Sequence, residues 1–485
     1  MNQELKKRIL KSSVASSIGT LFSMVFQFFT IMLIVRYTTK EDMGIYSLVM
    51  VVVNMFTLLS GLGLELTMVK SISSINLSEK RTILPPILLL RAIGNFSFSI
   101  IFMLVGRYVL NYFDDRIYDY MFYIIAIFIL ASFRDLFYNL MQGLNQFRNY
   151  SLVNVFSSIF RIIMVGLFIF LGTISLQILL IIEILATAQP LIHQLSIIQF
   201  KDYINVWPSI KIIKRVIKFS FPLYLNNLFV FINGRVNVFI IGLYLSVSDL
   251  ASYSVAENIP MALKKLFSSF IIVYFPNLAK LFSANDKRTA IDFVNKSQTI
   301  FSLFFSFIVL ITFVFKNEIT ILLYSEKYSE SALTAALLIV NFQFRGMADL
   351  FGYSFTPAGH PTIPAKVNSI ASIVSAISSF ILIPYLGFVG AAISLIIMNL
   401  LSFFMFYIYL CKYDLKPRMF NIFKPIIIMI SILFLFYIVG IDNLVTKTVT
   451  IVLFPFISYF FVSESKGILK SVYSKSVYYY KKVIR

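Results

Sequence analysis

The sequence predicts an all-α polytopic membrane protein of about 14 transmembrane helices, and three observations carry that prediction. Of 485 residues, 59% are hydrophobic and 13% charged, against about 45–50% and about 25% in soluble domains. Mean hydropathy is +0.86. Runs of roughly 20 apolar residues, each enough to cross about 30 Å of hydrocarbon, recur from end to end and leave no room for a soluble domain.

The first run follows Lys6, Lys7, Arg8 and Lys11 and ends at Arg36 without a small-residue cleavage site, so it reads as a retained span rather than a signal peptide. Polar or turn-rich breaks then place spans at roughly 13–36, 44–73, 83–110, 118–142, 150–172, 174–199, 216–245, 250–275, 290–316, 330–356, 362–385, 388–411, 420–440 and 445–463. Each must be helical, because lipid offers the backbone no other hydrogen-bond partner. One cysteine, Cys411, excludes an internal disulfide, and two histidines, His193 and His360, give no metal cluster. No Walker A run, acidic DxxD-like cluster or Ser/His/Asp set offers a catalytic centre, and no cofactor is expected.

The formal charge of +20 is explained by where it sits. Alternate loops hold Lys80/Arg81, Arg148, Lys201/Lys211/Lys214/Arg215/Lys218, Lys280/Lys287/Arg288, Lys366 and Lys412/Lys416/Arg418/Lys424. The intervening loops are poorer in basic residues and richer in acids, as in Asp114, Asp115, Arg116 and Asp119, or Lys316, Glu318, Glu326, Lys327 and Glu330. The positive-inside rule makes the first set cytoplasmic. Both termini then face the cytoplasm of a cell membrane, the tail bearing Lys466, Lys470, Lys475, Lys481, Lys482 and Arg485. The basic charge is topogenic, and nucleic acid is not expected as a partner.

At an offset of 207 the chain matches itself: Asp42-Met-Gly-Ile-Tyr46-Ser47 against Asp249-Leu-Ala-Ser-Tyr253-Ser254, Lys80-Arg81-Thr82 against Lys287-Arg288-Thr289, and Tyr37 against Tyr244. The offset spans six helices, an even number, so the halves share one orientation. This predicts two pseudo-symmetric six-helix lobes around a central cavity, residues 1–200 and 201–411, plus two C-terminal helices and the basic tail in 412–485. Thr39 with Asp42, and Ser246 with Asp249, read as capping boxes that start the second helix of each half.

Charged groups deep in hydrocarbon cost about 2.5–3.5 kcal/mol each and therefore face a cavity or a partner. Arg91, Arg134, Arg161, Arg235, Lys264, Lys265 and Arg345 fall well inside predicted spans, with Arg36 and Lys70 nearer helix ends. The acids at comparable depth are Glu65, Asp135, Glu183, Glu257 and Asp349. Arg345 and Asp349 lie four apart on one helix face and suit an ion pair. Arg91, Arg161 and Arg235 have no carboxylate three or four residues away and head the candidates for binding an anionic substrate, joined by Arg134, Arg345, Lys264 and Lys70. Glu183, Glu257 and Asp349 are the candidates for proton or cation coupling. Prolines inside or near span ends, Pro85, Pro86, Pro190, Pro222, Pro260 and Pro357, permit bending.

Glu41-Asp-Met-Gly44-Ile-Tyr46, the run Gly61-Leu-Gly-Leu-Glu-Leu-Thr-Met-Val-Lys70, Gln142-Gly143-Leu-Asn-Gln-Phe147 and Ile383-Pro384-Tyr-Leu-Gly387-Phe-Val-Gly390-Ala391-Ala392 resemble the Wzx-type polysaccharide-export flippases. These belong to the multidrug/oligosaccharidyl-lipid/polysaccharide exporter superfamily, with a MATE-like fold. Phe221-Pro222-Leu-Tyr-Leu-Asn226-Asn227 with Arg235-Val-Asn237 is similar to the family's seventh helix, with Asn237 where many relatives carry Asp. The resemblance implies alternating-access movement of a polyprenyl-pyrophosphate-linked oligosaccharide to the outer leaflet. It implies membrane lipid, and a polymerase and glycosyltransferases, as partners. Rival readings are a cation-coupled drug or metabolite exporter, a peptidoglycan-precursor flippase, and a non-transporting scaffold of envelope assembly.

Overall fold

The computed structural model describes residues 3–73, 77–110, 114–198, 209–284, 286–360, 362–413, 415–440 and 443–462. The side chains of Lys6, Lys7, Arg8, Lys11, Lys80, Arg81, Asn226 and Lys265 lie outside that description, as do Lys201 and the basic tail. Among the described residues the chain forms sixteen α-helices and two short 3-10 turns, with no strand. In order these are α1 (Gln3–Tyr37), α2 (Lys40–Gly61), α3 (Leu64–Ser73), α4 (Leu77–Leu110), α5 (Met121–Gly143), α6 (Phe147–Phe170), α7 (Leu176–Ile197) and α8 (Ile210–Tyr244). There follow α9 (Val247–Ser283), α10 (Lys287–Val314), α11 (Lys316–Tyr324), α12 (Ser331–Phe355), α13 (Thr362–Leu386), α14 (Phe388–Lys412), α15 (Met419–Val439) and α16 (Leu444–Phe461).

All fourteen expected spans are helical, with two departures. The span expected at 44–73 breaks into α2 and α3 at Leu62 and Gly63, both at positive φ (48° and 72°). The short helix α11 occupies a stretch the sequence suggested as loop, its polar first turn hiding a four-residue apolar run, Ile319 to Leu323 apart from Thr320. Among the described residues, eleven helices are long and apolar enough to cross a membrane. Arg235 lies on α8, Glu257 and Lys264 on α9, and Arg345 and Asp349 on α12. Large apolar side chains such as Phe96, Leu104, Phe122 and Phe170 stand outward, as a lipid solvent permits.

The helix starts follow the expected chemistry. The Thr39 hydroxyl accepts from the Asp42 amide at 3.1 Å. Ser246 and Asp249 form the full reciprocal box: the Asp249 amide donates to Ser246 Oγ and the Ser246 amide to Asp249 Oδ2, each at 3.1 Å. Asp286 caps α10 in the same way through the Thr289 amide. Hydrogen bonds from the Thr289 hydroxyl and then its amide hold the Asp286 carboxyl below its ordinary range. The prolines sit inside helices at Pro85, Pro86, Pro190, Pro222 and Pro260, whereas Pro357 falls in the turn after α12.

Packing divides the chain into two compact units, residues 1–254 and 255–485. In the first, α1 packs on α6, α5 on α3 and α7, and α2 on α4 and α5. Helix α8, which the internal repeat places at the head of the second lobe, packs here against α2, α3 and α4. In the second, α14 packs on α12 and α13, and α10 on α12, α15 and α16. Its interior gathers phenylalanines 305, 342, 351, 403, 406 and 454, and two buried amides bridge α10 and α12. Gln343 Nε2 donates to Ser306 Oγ at 2.8 Å and Gln298 Nε2 to the Met347 carbonyl at 2.7 Å. Such bonds between membrane helices contribute about 0.6 kcal/mol each.

The Ile-Pro-x-x-Gly-x-x-Gly-Ala-Ala element has a plain geometric cause. Gly387 turns between α13 and α14 at φ 61°, and a Cβ on Gly390 would stand 2.4 Å from the Leu382 carbonyl oxygen. With Ala391 and Ala392 fully buried, the element lets two helices meet at backbone distance.

Candidate functional site

Four of the candidate arginines have carboxylate partners, two of them from neighbouring helices. Arg91, on α4, is fully buried. Its Nη2 donates to Glu65 Oε1 at 2.6 Å and to the Ser132 carbonyl at 2.8 Å, its Nε to the same carbonyl at 3.1 Å, and its Nη1 to the Thr57 carbonyl at 3.4 Å. Those acceptors surround the break between α2 and α3. The Thr57 carbonyl, which also accepts from the Ser60 hydroxyl at 3.2 Å, lies one turn before the end of α2 at Gly61. Gly61 gives the guanidinium room, since a Cβ there would lie 2.7 Å from Arg91 Nη1. Gly63 lets α3 start against α8: its Cβ would fall 2.4 Å from the Ser220 carbonyl oxygen. Arg91 was expected to meet substrate. In the structure every nitrogen of its guanidinium already has an acceptor, on α2, α3 or α5.

Arg161, on α6, forms an ion pair with Glu183 on α7, and both bond to the Tyr46 hydroxyl from α2, at 2.7 Å in each case. Glu183 is buried. Arg161 has no carboxylate three or four residues away; its partner comes from the next helix, where sequence spacing is blind. Arg161 Nε has no bond among the described residues and is a spare donor. Arg134, on α5, pairs with its neighbour Asp135 at 2.8 Å. Lys70, in the last turn of α3, stands 3.9 Å over the Phe219 ring of α8. Arg235 is half-buried on α8.

The second unit gathers three candidates in one place. Lys264 of α9 and Arg345 and Asp349 of α12 line a cavity of about 230 Å³ with Phe267, Ile271, Phe342, Gly346 and Tyr353. Arg345 Nε and Asp349 Oδ2 are 3.9 Å apart, a loose version of the expected pair. Arg345 keeps 51% of its side chain exposed, so its other donors face the opening. Two cations against one carboxylate, on an aromatic floor, suit an anionic group that also presents an apolar or sugar face. Glu257, on α9, is half-buried and does not line this cavity.

Tyr46 and Tyr353 went unmarked among the candidates. For Tyr46 a signal existed: it repeats as Tyr253 in the second half, and both are buried. Phe267 and Phe342 carry no sequence signal, being two among 52 phenylalanines.

Residues 9–282, more than half of the chain, match the model of the family described as polysaccharide biosynthesis protein. The chain belongs to that family. No curated relative matches the sequence. Among solved structures, the fold is similar to the lipid II flippase MurJ in an inward closed conformation, with TM-score 0.72 and 16% identity over 92% of this chain and 99% of that one. It is also similar to an inward-facing multidrug resistance MATE family transporter of the MOP superfamily, with TM-score 0.66 and 14% identity over 81% and 94%. A Vibrio cholerae MATE transporter superposes with TM-score 0.56 and 13% identity over 85% and 98%. This member of the polysaccharide biosynthesis family is thus a multi-pass membrane protein with the MurJ/MATE fold.

Proposed function

We propose that the protein translocates a polyprenyl-pyrophosphate-linked oligosaccharide from the cytoplasmic to the outer leaflet of the cell membrane by alternating access, for surface polysaccharide synthesis. The observation that carries this reading is the cavity where Lys264 and Arg345 oppose a single Asp349. Groups so costly in hydrocarbon are retained where a charged substrate meets them. The family match and the likeness to a lipid-linked flippase support it.

In this reading the lobes are residues 1–200 and 201–411, followed by 412–485, with both termini cytoplasmic. Lys264 and Arg345 take the pyrophosphate or an acidic sugar, aided by Arg235, Arg134, Lys70 and the spare Nε–H of Arg161. Coupling to a proton or cation runs through Glu183, Glu257 and Asp349. Glycosyltransferases supply the substrate and a polymerase receives it.

The test is the pool of lipid-linked oligosaccharides in a deletion strain, resolved by leaflet. A complete unit accumulating on the cytoplasmic leaflet is the expected result and names the glycan. An unchanged pool with altered drug or metabolite tolerance would replace this reading by the exporter one, which the MATE likeness favours at the level of fold.

A further inference from the structure

A second charged cavity, also about 230 Å³, lies at the far end of α10, between the first turns of α11 and the junction of α15 with α16. Phe313, Phe436 and Gly440 wall it, and Lys316, Asn317, Glu318, Tyr437 and Lys447 supply its polar groups. None of these residues belongs to the site proposed for transport. We propose that this cavity holds the phosphate of an anionic phospholipid whose acyl chains lie along α15 and α16.

Charge and position both support that occupant. Lys447 is 94% buried, since its relative exposure is 6%, and it is ion-paired with Glu318. One carboxylate thus neutralises one ammonium. Lys316 remains, 3.4 Å from the Tyr437 hydroxyl and 5.7 Å from the centre of its ring. The described lining therefore carries one net positive charge, the complement of a phosphodiester monoanion, with Lys316, Asn317 and the Tyr437 hydroxyl as donors. The volume is several times the roughly 30 Å³ that one water occupies.

Position distinguishes a lipid from a soluble phosphate. The cavity lies where two apolar, span-length helices, α15 and α16, end and begin, the level at which headgroups and aromatic belts sit. The side chains flanking it are apolar and outward: Phe434, Leu435, Ile438, Val439, Leu444 and Val445 are 55–72% exposed. A bound lipid would cover this strip with its chains while its phosphate meets Lys316. A water-soluble phosphate would leave the strip without a role.

Full-length protein is purified from nanodiscs of phosphatidylcholine with a minor share of phosphatidylglycerol, and retained lipid is counted by native mass spectrometry. Wild type should retain phosphatidylglycerol preferentially. Lys316→Gln should lower that preference about five-fold, the factor that matches about 1 kcal/mol for one basic residue at a membrane surface. Glu318→Gln, which frees Lys447, should raise it. Lys424→Gln, which removes a cation stacked on Phe420 instead, should leave it unchanged. Equal retention in wild type, Lys316→Gln and Glu318→Gln would overturn the proposal. So would displacement of the lipid by glycerol phosphate alone, which would make this a soluble-phosphate site. The readout needs no transport, so it fails or succeeds independently of the flippase reading.

Discussion

Replacing Arg91 separates a structural role from a substrate-binding one. In Arg91→Ala the carboxylate of Glu65, only 22% exposed, loses its partner and the Ser132 carbonyl its side-chain donor, while the Thr57 carbonyl keeps that of Ser60. Breaking a buried pair from one side costs about 3–5 kcal/mol, and the side-chain bond lost to the Ser132 carbonyl adds about 1 kcal/mol. The expected loss is thus about 4–6 kcal/mol, against a typical total of about 5–15 kcal/mol. Reversible unfolding by SDS titration measures it, and reaction of the single, half-buried Cys411 with a thiol-reactive dye gives a second probe. Arg91→Met with Glu65→Leu removes both charges and should recover about half the loss, because the bond to the Ser132 carbonyl stays lost. Stability within about 0.5 kcal/mol of wild type in Arg91→Ala, coupled with lost transport, would refute the structural role and return Arg91 to the substrate site.

Other substitutions read the remaining features. Lys264→Ala with Arg345→Ala should leave stability nearly unchanged, both side chains being exposed, while raising KM for the lipid-linked substrate at least about ten-fold; each charge-assisted bond contributes about 1.5–3 kcal/mol, and a flipping assay with titrated substrate checks it. Glu183→Gln keeps an acceptor for Tyr46 but cannot release a proton, so transport in proteoliposomes should stop responding to an imposed pH gradient; an unchanged response removes Glu183 from coupling. Gly63→Ala should cost at least about 2 kcal/mol by SDS titration, since it combines a φ of 72° with a Cβ 2.4 Å from the Ser220 carbonyl.

Much of this fold is written in hydropathy and end signals. The helices at the fourteen expected spans and the caps at Thr39 and Ser246 follow from residue type and spacing, which act locally. The break after Gly61 was not legible, because Leu62 carries no turn signal and its left-handed φ is imposed by what surrounds it. The ion pairs divide the same way. Arg345 and Asp349 sit four apart on one helix and were expected to meet. Glu65 with Arg91, separated by 26 residues, and Arg161 with Glu183, by 22, meet only after three helices have packed. Periodicity reports one helix at a time, so it marks a charge as costly without naming its partner.

The Arg91 ion pair also bears on how the chain enters the membrane. Glu65 leaves the ribosome before Arg91, and an arginine alone at the centre of a helix opposes insertion by about 2.5–3.5 kcal/mol. If the α2–α3 pair stays beside the insertion site until α4 arrives, the Glu65 carboxylate is waiting when the guanidinium enters. The broken helix then serves as a receptor for the span that follows it, and the order of synthesis becomes part of what makes a buried arginine tolerable.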